Sequence, residues 1–110
     1  MSRICVKVNN LRKIGYTDLR NWLSDENNLY VGRKGRIFID GKIFHYKGSI
    51  FGNPYKLSEY SITESLEKYE KYIRENLMTE LKSLRGKNLG CFCDFDNRCH
   101  VDVLLILIDE

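Results

Sequence analysis

No alanine and no glutamine occur among the 110 residues, and there is one proline. The longest uninterrupted apolar run, residues 103–108, is far below the roughly 18 residues of a membrane span and ends in Asp109-Glu110, so a membrane-spanning helix is excluded. The first residues, Met1-Ser2-Arg3-Ile4-Cys5-Val6, lack a basic start, long apolar stretch and small-residue cleavage site in succession. With no secretory signal the chain is expected in the cytoplasm, or the host cytoplasm if the source is viral. Blocks of like charge are also missing. The 18 Lys and Arg alternate with 15 Asp and Glu along the chain for a net +3, which allows a nucleic-acid partner without implying one. No internal repeat or low-complexity tract occurs. The bias against Ala and Gln, beside abundant Ile, Lys, Asn and Tyr, fits an AT-rich coding sequence and speaks to source rather than function.

What is present is an ordinary globular composition, 43% hydrophobic and 30% charged, enough for one core and one domain over residues 1–110. Four cysteines in a reducing compartment read as thiols rather than disulfides.

Residues 4–8 form a β-branched run closed by Asn9-Asn10, a strand and a turn. Thr17 is placed to cap a short helix through Trp22 and Leu23, and Leu29-Tyr30-Val31 reads as a second strand ending at Gly32. Residues 37–44 are apolar on both sides of Asp40-Gly41, a strong hairpin signal. Residues 49–55 hold the single proline and predict a structured loop. Ser61 with Glu64 three residues later makes a capping box, after which Ile62, Leu66, Tyr69, Ile73, Leu77, Leu81 and Leu84 mark one helical face, closed by Arg85-Gly86. A strand over 88–93, a turn over 94–98 and a helix from about Cys99 complete the chain. The expected class is α/β: a small, mainly parallel sheet with a long right-handed crossover helix, a C-terminal helix and a β-hairpin excursion.

In parallel sheets ligands bind beyond the carboxyl ends of strands, where Gly32-Arg33 and residues 93–100 both fall. Cys91 and Cys93 are two apart and should share a face, with Cys99 and His100 returning after a short loop. Two chemistries suit these residues. Cys91, Cys93, Cys99 and His100 can form a tetrahedral zinc site, although C-x-C followed by C-H is more cramped than paired C-x-x-C. Alternatively, Cys99 and His100 open the last helix, where backbone N–H groups favour an anion or a thiolate, with Asp102 in its first turn to orient His100 or Arg98 or to complement the dipole. Arg33 can fork onto a phosphate or carboxylate, and Gly52, Asn53 and Pro54 with Lys56 can form a polar lip. A third alternative treats the cysteines as small buried hydrophobes. His45 reads as a surface residue of the hairpin.

Several segments in this order, Val8 through Lys13, Tyr30-Val31-Gly32-Arg33, Phe51-Gly52-Asn53-Pro54-Tyr55, Leu84 through Cys93 and Cys99-His100-Val101-Asp102, resemble the domain-of-unknown-function family 4326. Its members are small proteins of bacteria, phages and large DNA viruses. Phe51 and Phe92 stand where the family commonly has tryptophan, Val101 where it commonly has glycine, and residues 37–44 resemble an insertion. The resemblance implies that the matched residues form one pocket, and it assigns no reaction.

The expected function is therefore a site for an anionic or nucleotide-like small molecule. Cys93, Cys99, His100 and Asp102 are its candidate catalytic groups, and Gly32, Arg33, Gly52, Asn53, Pro54 and Lys56 its ligand-binding residues. Whether it is an enzyme stays open. The alternatives are a zinc-stabilised Cys3His module that binds protein or nucleic acid, and a non-specific nucleic-acid binder using scattered Lys and Arg.

Overall fold

The computed structural model describes residues 2–94 and 96–110. In chain order its elements are β1 (Ser2–Cys5), α1 (Val8–Lys13), α2 (Leu19–Leu23), β2 (Asn28–Tyr30), β3 (Gly35–Ile39), β4 (Lys42–Tyr46), α3 (Ile62–Asn76), α4 (Met78–Leu81), a 3-10 turn (Lys82–Leu84), β5 (Asn88–Cys91) and α5 (His100–Ile108). The fold is α/β. β1, β5 and β2 form a parallel sheet in that order, with β5 in the middle. Ile4 and Tyr30 both stand opposite Gly90, and Cys5 stands opposite Cys91. Among the described residues no helix is long and apolar enough to cross a membrane.

Alternation along β5 divides the core into two layers. Leu89 and Cys91 pack with Tyr69, Ile73, Leu104 and Leu107 of α3 and α5. On the other face Trp22 and Val6 cover Gly90, in a cluster that also contains Leu11 and Tyr30 and is flanked by Ile37, Phe44 and Tyr46 of the hairpin. The hairpin turns as its sequence predicts: Asp40 and Gly41 have φ of 52° and 76°, the paired positive values of a type I′ turn.

Several local expectations change. Asn9-Asn10 lies within α1, not in a turn, because Leu11 is completely buried and the Asn10 amide donates to Cys5 O at 2.8 Å, ending the strand there. The cap of α2 is Asp18 rather than Thr17, since its carboxylate accepts from Asn21 N at 2.8 Å. Ser61 caps α3 as expected, accepting from Glu64 N. The apolar face beyond it does not run in one helix. Leu77 leaves helical geometry at φ −129°, and α4 with the 3-10 turn re-aims Leu81 and Leu84 into the core. The last strand stops at Cys91, two residues short of the expected end, and position 95 of the expected 94–98 turn lies outside the described residues.

Candidate functional site

At the carboxyl end of β5 the chain leaves the sheet, so Cys91 closes the strand, Cys93 lies two residues beyond, and Cys99 returns as the N-cap of α5. The Sγ atoms of these three lie within 4.8 Å of one another, and Cys99 approaches Cys91 to 3.3 Å. All are free thiols, as is Cys5. Cys91 and Cys99 are buried, while Cys93 is half-buried.

His100 is oriented by two contacts. Its Nε2 lies 2.8 Å from Val31 O, and because a carbonyl only accepts, Nε2 carries the proton. The ring stands edge-on to Tyr69 with centroids 5.4 Å apart. Burial holds the imidazole below its ordinary pKa and keeps it neutral, leaving Nδ1 as an acceptor 3.5 Å from Cys99 Sγ.

Arg3 was not visible as a site residue in the sequence. Its register opposite Leu89 puts it on the Leu89 and Cys91 face, beside the thiols. Its side chain is 10% exposed; Nη1 reaches both oxygens of Asp102 at 3.0 and 3.3 Å, Nη2 donates to Asp94 O, and Nε is buried with no hydrogen-bond partner among the described residues. The cluster therefore has a nearly buried cation beside it. Hydrogen bonds from Cys91 and Cys99, then the charge of Arg3, push the Cys93 thiol down to about 3. The same sharing pushes Cys91 and Cys99 up.

These groups floor a cavity of about 340 Å³ whose lining includes Gly32, Arg33, Asn53, Phe92, Arg98 and the thiols with His100. That size suits a small ligand. The two distant segments read from the sequence thus meet. Gly52 packs on Gly32, where an added Cβ would lie 3.1 Å from Gly32 O. Arg33 is held through Nε by Asn53 O at 2.8 Å, and its own carbonyl accepts from the Tyr30 hydroxyl at 2.7 Å. Arg98, also in the lining, donates to Thr63 Oγ1 at 2.9 Å.

The Asn53 amide is a brace: Nδ2 donates to Ser65 Oγ at 2.8 Å, Oδ1 accepts from Tyr55 N at 2.9 Å, and Ser65 in turn donates to Tyr55 O at 2.6 Å. Ser65, fully buried in the inner face of α3, is the second residue the sequence reading missed. Its signal was a small polar residue beside Leu66 in an apolar stripe. Gly52, Pro54, Lys56 and Asp102 lie outside the described lining of the cavity. Gly52 and Pro54 shape the loop, Lys56 is exposed, and Asp102 binds Arg3 while accepting from Cys99 N at 3.1 Å. His100 adjoins Cys99 but is not in the group of three sulfurs that all lie within 4.8 Å of one another.

No curated protein and no solved structure matches the chain. A family model described as Domain of unknown function (DUF4326) matches residues 15–110, a span that runs from before α2 to the end of α5 and includes every residue named above as lining the cavity, with Arg3 outside it. With the match covering most of its length and its whole cavity wall, the chain belongs to the DUF4326 family.

Proposed function

We propose that the cavity binds a small anionic ligand of nucleotide-like or sugar-phosphate class between Arg33 and Arg98, above the sulfur cluster. The carrying observation is the convergence of two guanidinium groups from separate loops on one cavity of about 340 Å³ that also contains Cys93 and His100. Among the described residues each arginine side chain makes one hydrogen bond, which leaves further donors for an anion. Within that site Cys93 supplies a nucleophilic thiolate, and Cys99 with His100 holds a proton between Sγ and Nδ1. Asp102 acts at one remove by fixing Arg3.

The test is thermal denaturation in inorganic phosphate and in a panel of nucleoside phosphates. Saturation at a hundredfold excess over Kd stabilises the native state by about 2.7 kcal/mol. Arg33→Ala with Arg98→Ala should abolish that response. A native protein whose melting point ignores every anion in the panel, or a double variant that responds like wild type, overturns the reading.

A second reading rests on a separate observation, the three Sγ atoms mutually within 4.8 Å. Tetrahedral zinc at about 2.3 Å from each sulfur sets neighbouring sulfurs about 3.8 Å apart, within that range. His100 donates its Nε2 proton to a backbone carbonyl, the outer bond that a metal-bound imidazole uses, so Nδ1 is the fourth donor if the ring shifts toward the sulfurs. Bound there, zinc would tie β5 to α5 and make the protein a stabilised binding module for protein or nucleic acid. Elemental analysis of protein purified without a metal-affinity tag decides it. About one zinc per chain, with thiols released by a chelator, supports the metal, whereas a metal-free protein with one fast-reacting thiol removes it.

A further inference from the structure

The hairpin of β3 and β4 stands apart from the cavity, and its surface has a different chemistry. Residues 34–47 contain four cations, Lys34, Arg36, Lys42 and Lys47, against the single acid Asp40, a net +3 that equals the charge of the whole chain. These cations follow one another along a single ribbon, and the remaining residues carry no net charge. Even Asp40 is approached by a cation, Arg20, at 3.6 Å.

Pairing of Arg36 with His45 and of Phe38 with Ile43 puts these four side chains on one face of the ribbon. All four are exposed, Phe38 to 76% and Ile43 to 52%. The opposite face is not free, because Ile37, Phe44 and Tyr46 pack against the Trp22 layer and Ile39 is buried. At the base of the ribbon lies an open groove of about 670 Å³ lined by Lys34, Arg36, His45 and Lys47, with Gly35, Tyr46 and Gly48 between them and no acidic group. The groove is thus edged by cations, and the one acid of the ribbon, Asp40, lies at its far tip.

We propose that the outer face of the hairpin binds single-stranded nucleic acid. Lys34, Arg36 and Lys47 in the groove take phosphates, and the open ring of Phe38 gives an unpaired base a surface to stack on. Charge complementarity selects a polyanion, and an exposed aromatic ring between cations selects unstacked bases, which a duplex does not offer. Ile43 across the strand extends the apolar platform under the next base. This inference is independent of the ligand in the cavity, since the ribbon's outer face shares no residue with it.

Fluorescence anisotropy with a labelled oligothymidylate of about 15 nucleotides tests it, against a duplex of the same length and against vesicles rich in phosphatidylserine. With about three phosphates neutralised, one for each cation of the groove, a single-strand salt slope near −2.1 predicts roughly 18-fold weaker binding at 200 than at 50 mM salt. Phe38→Ala should weaken binding by about 5- to 150-fold, the worth of one stacked base, with the slope unchanged. Lys34→Gln with Lys47→Gln should flatten the slope by about 1.4, while the charge-matched control Lys71→Gln with Lys82→Gln, on exposed positions of α3 and the 3-10 turn, should change little. The proposal is overturned by the absence of binding at 50 mM salt, by equal or tighter binding to the duplex or the vesicles, by a Phe38→Ala variant that binds like wild type, or by a control pair that loses as much as the hairpin pair.

Discussion

Replacing Gly90 with alanine tests the packing that seats β5, and with it Cys91, between its neighbours. A Cβ at this position would lie 2.5 Å from Trp22 Cη2, 2.7 Å from Val6 Cγ1 and 2.9 Å from Trp22 Cζ3. Trp22 and Val6 are each 1% exposed, so neither has solvent to retreat into. Overpacking of this kind costs about 1–3 kcal/mol. For 110 residues an unfolding entropy of about 2.1 cal/mol/K per residue sums to ~0.23 kcal/mol/K, so the midpoint should fall by roughly 4–13 °C. The opposing effect, the stiffer unfolded chain of alanine, would raise stability by only about 0.4–1 kcal/mol and should lose to the clash. The assay is a double-mutant cycle with Trp22→Phe, read by circular dichroism melts. Phenylalanine lacks the outer indole ring that carries both contacting atoms, so the double variant should be more stable than the sum of the singles predicts, by about 0.5–3 kcal/mol. A Gly90→Ala protein that melts at or above the wild-type temperature, or two losses that simply add, would refute the packing argument.

Tyr69→Phe removes the hydroxyl that donates to Phe51 O in the buried core, stranding that carbonyl, and should lower stability by about 1–3 kcal/mol with an unchanged denaturant m-value. An unmoved midpoint would show that the carbonyl finds another donor. His100 has a folded pKa depressed below its ordinary 6.5 by burial, so its contribution to stability is complete above that value and is lost as pH falls through the folded one. Melting temperatures followed from about pH 7.5 to 5.5 should therefore drop more steeply for wild type than for His100→Gln, and parallel curves would assign the acid sensitivity to other groups. Gly52→Ala puts a Cβ 3.1 Å from Gly32 O and 3.2 Å from Ser49 O, both backbone atoms that do not swing aside. It should weaken phosphate binding by about tenfold, or ~1.4 kcal/mol, and a full phosphate response would show that this loop does not position Arg33.

The features legible in the sequence were those whose cause is local. Asp40-Gly41 encodes its turn in two residues, Ser61 its cap in four, and Cys91, Cys93, Cys99 and His100 are close enough in the chain for one strand end and one helix start to gather them. The general rule that parallel strands end at a shared crevice was enough to bring Arg33 to the cysteines. What stayed hidden depends on partners far away in sequence. Arg3 becomes a site residue only through parallel register with β5 and an ion pair across 99 positions to Asp102. α1 owes its helix to the burial of Leu11 and not to propensity, since Val8, Asn9 and Asn10 are poor helix formers. The apolar period of residues 62–84 has the same spacing whether or not the helix bends, so it could not reveal the break at Leu77. A count along the chain also does not show which residues share a face of the ribbon, as Arg36, Phe38, Ile43 and His45 do.

The placement of β5 has a consequence for the order in which this molecule assembles. Among the described residues β1 and β2 do not pair with each other; each finds its ladder in residues 88–91. During synthesis both remain strands without a partner until the chain has been made almost through to the cysteine cluster, while α3 and the hairpin, whose contacts are local, are free to form earlier. Sheet formation then waits on a single four-residue segment, and closure of the cavity and the meeting of the three sulfurs follow once Cys93, Cys99 and α5 arrive behind it. A nascent chain stalled before Asn88 should expose the apolar faces of both layers and depend on chaperones, whereas one released just after α5 should complete itself in a single cooperative step.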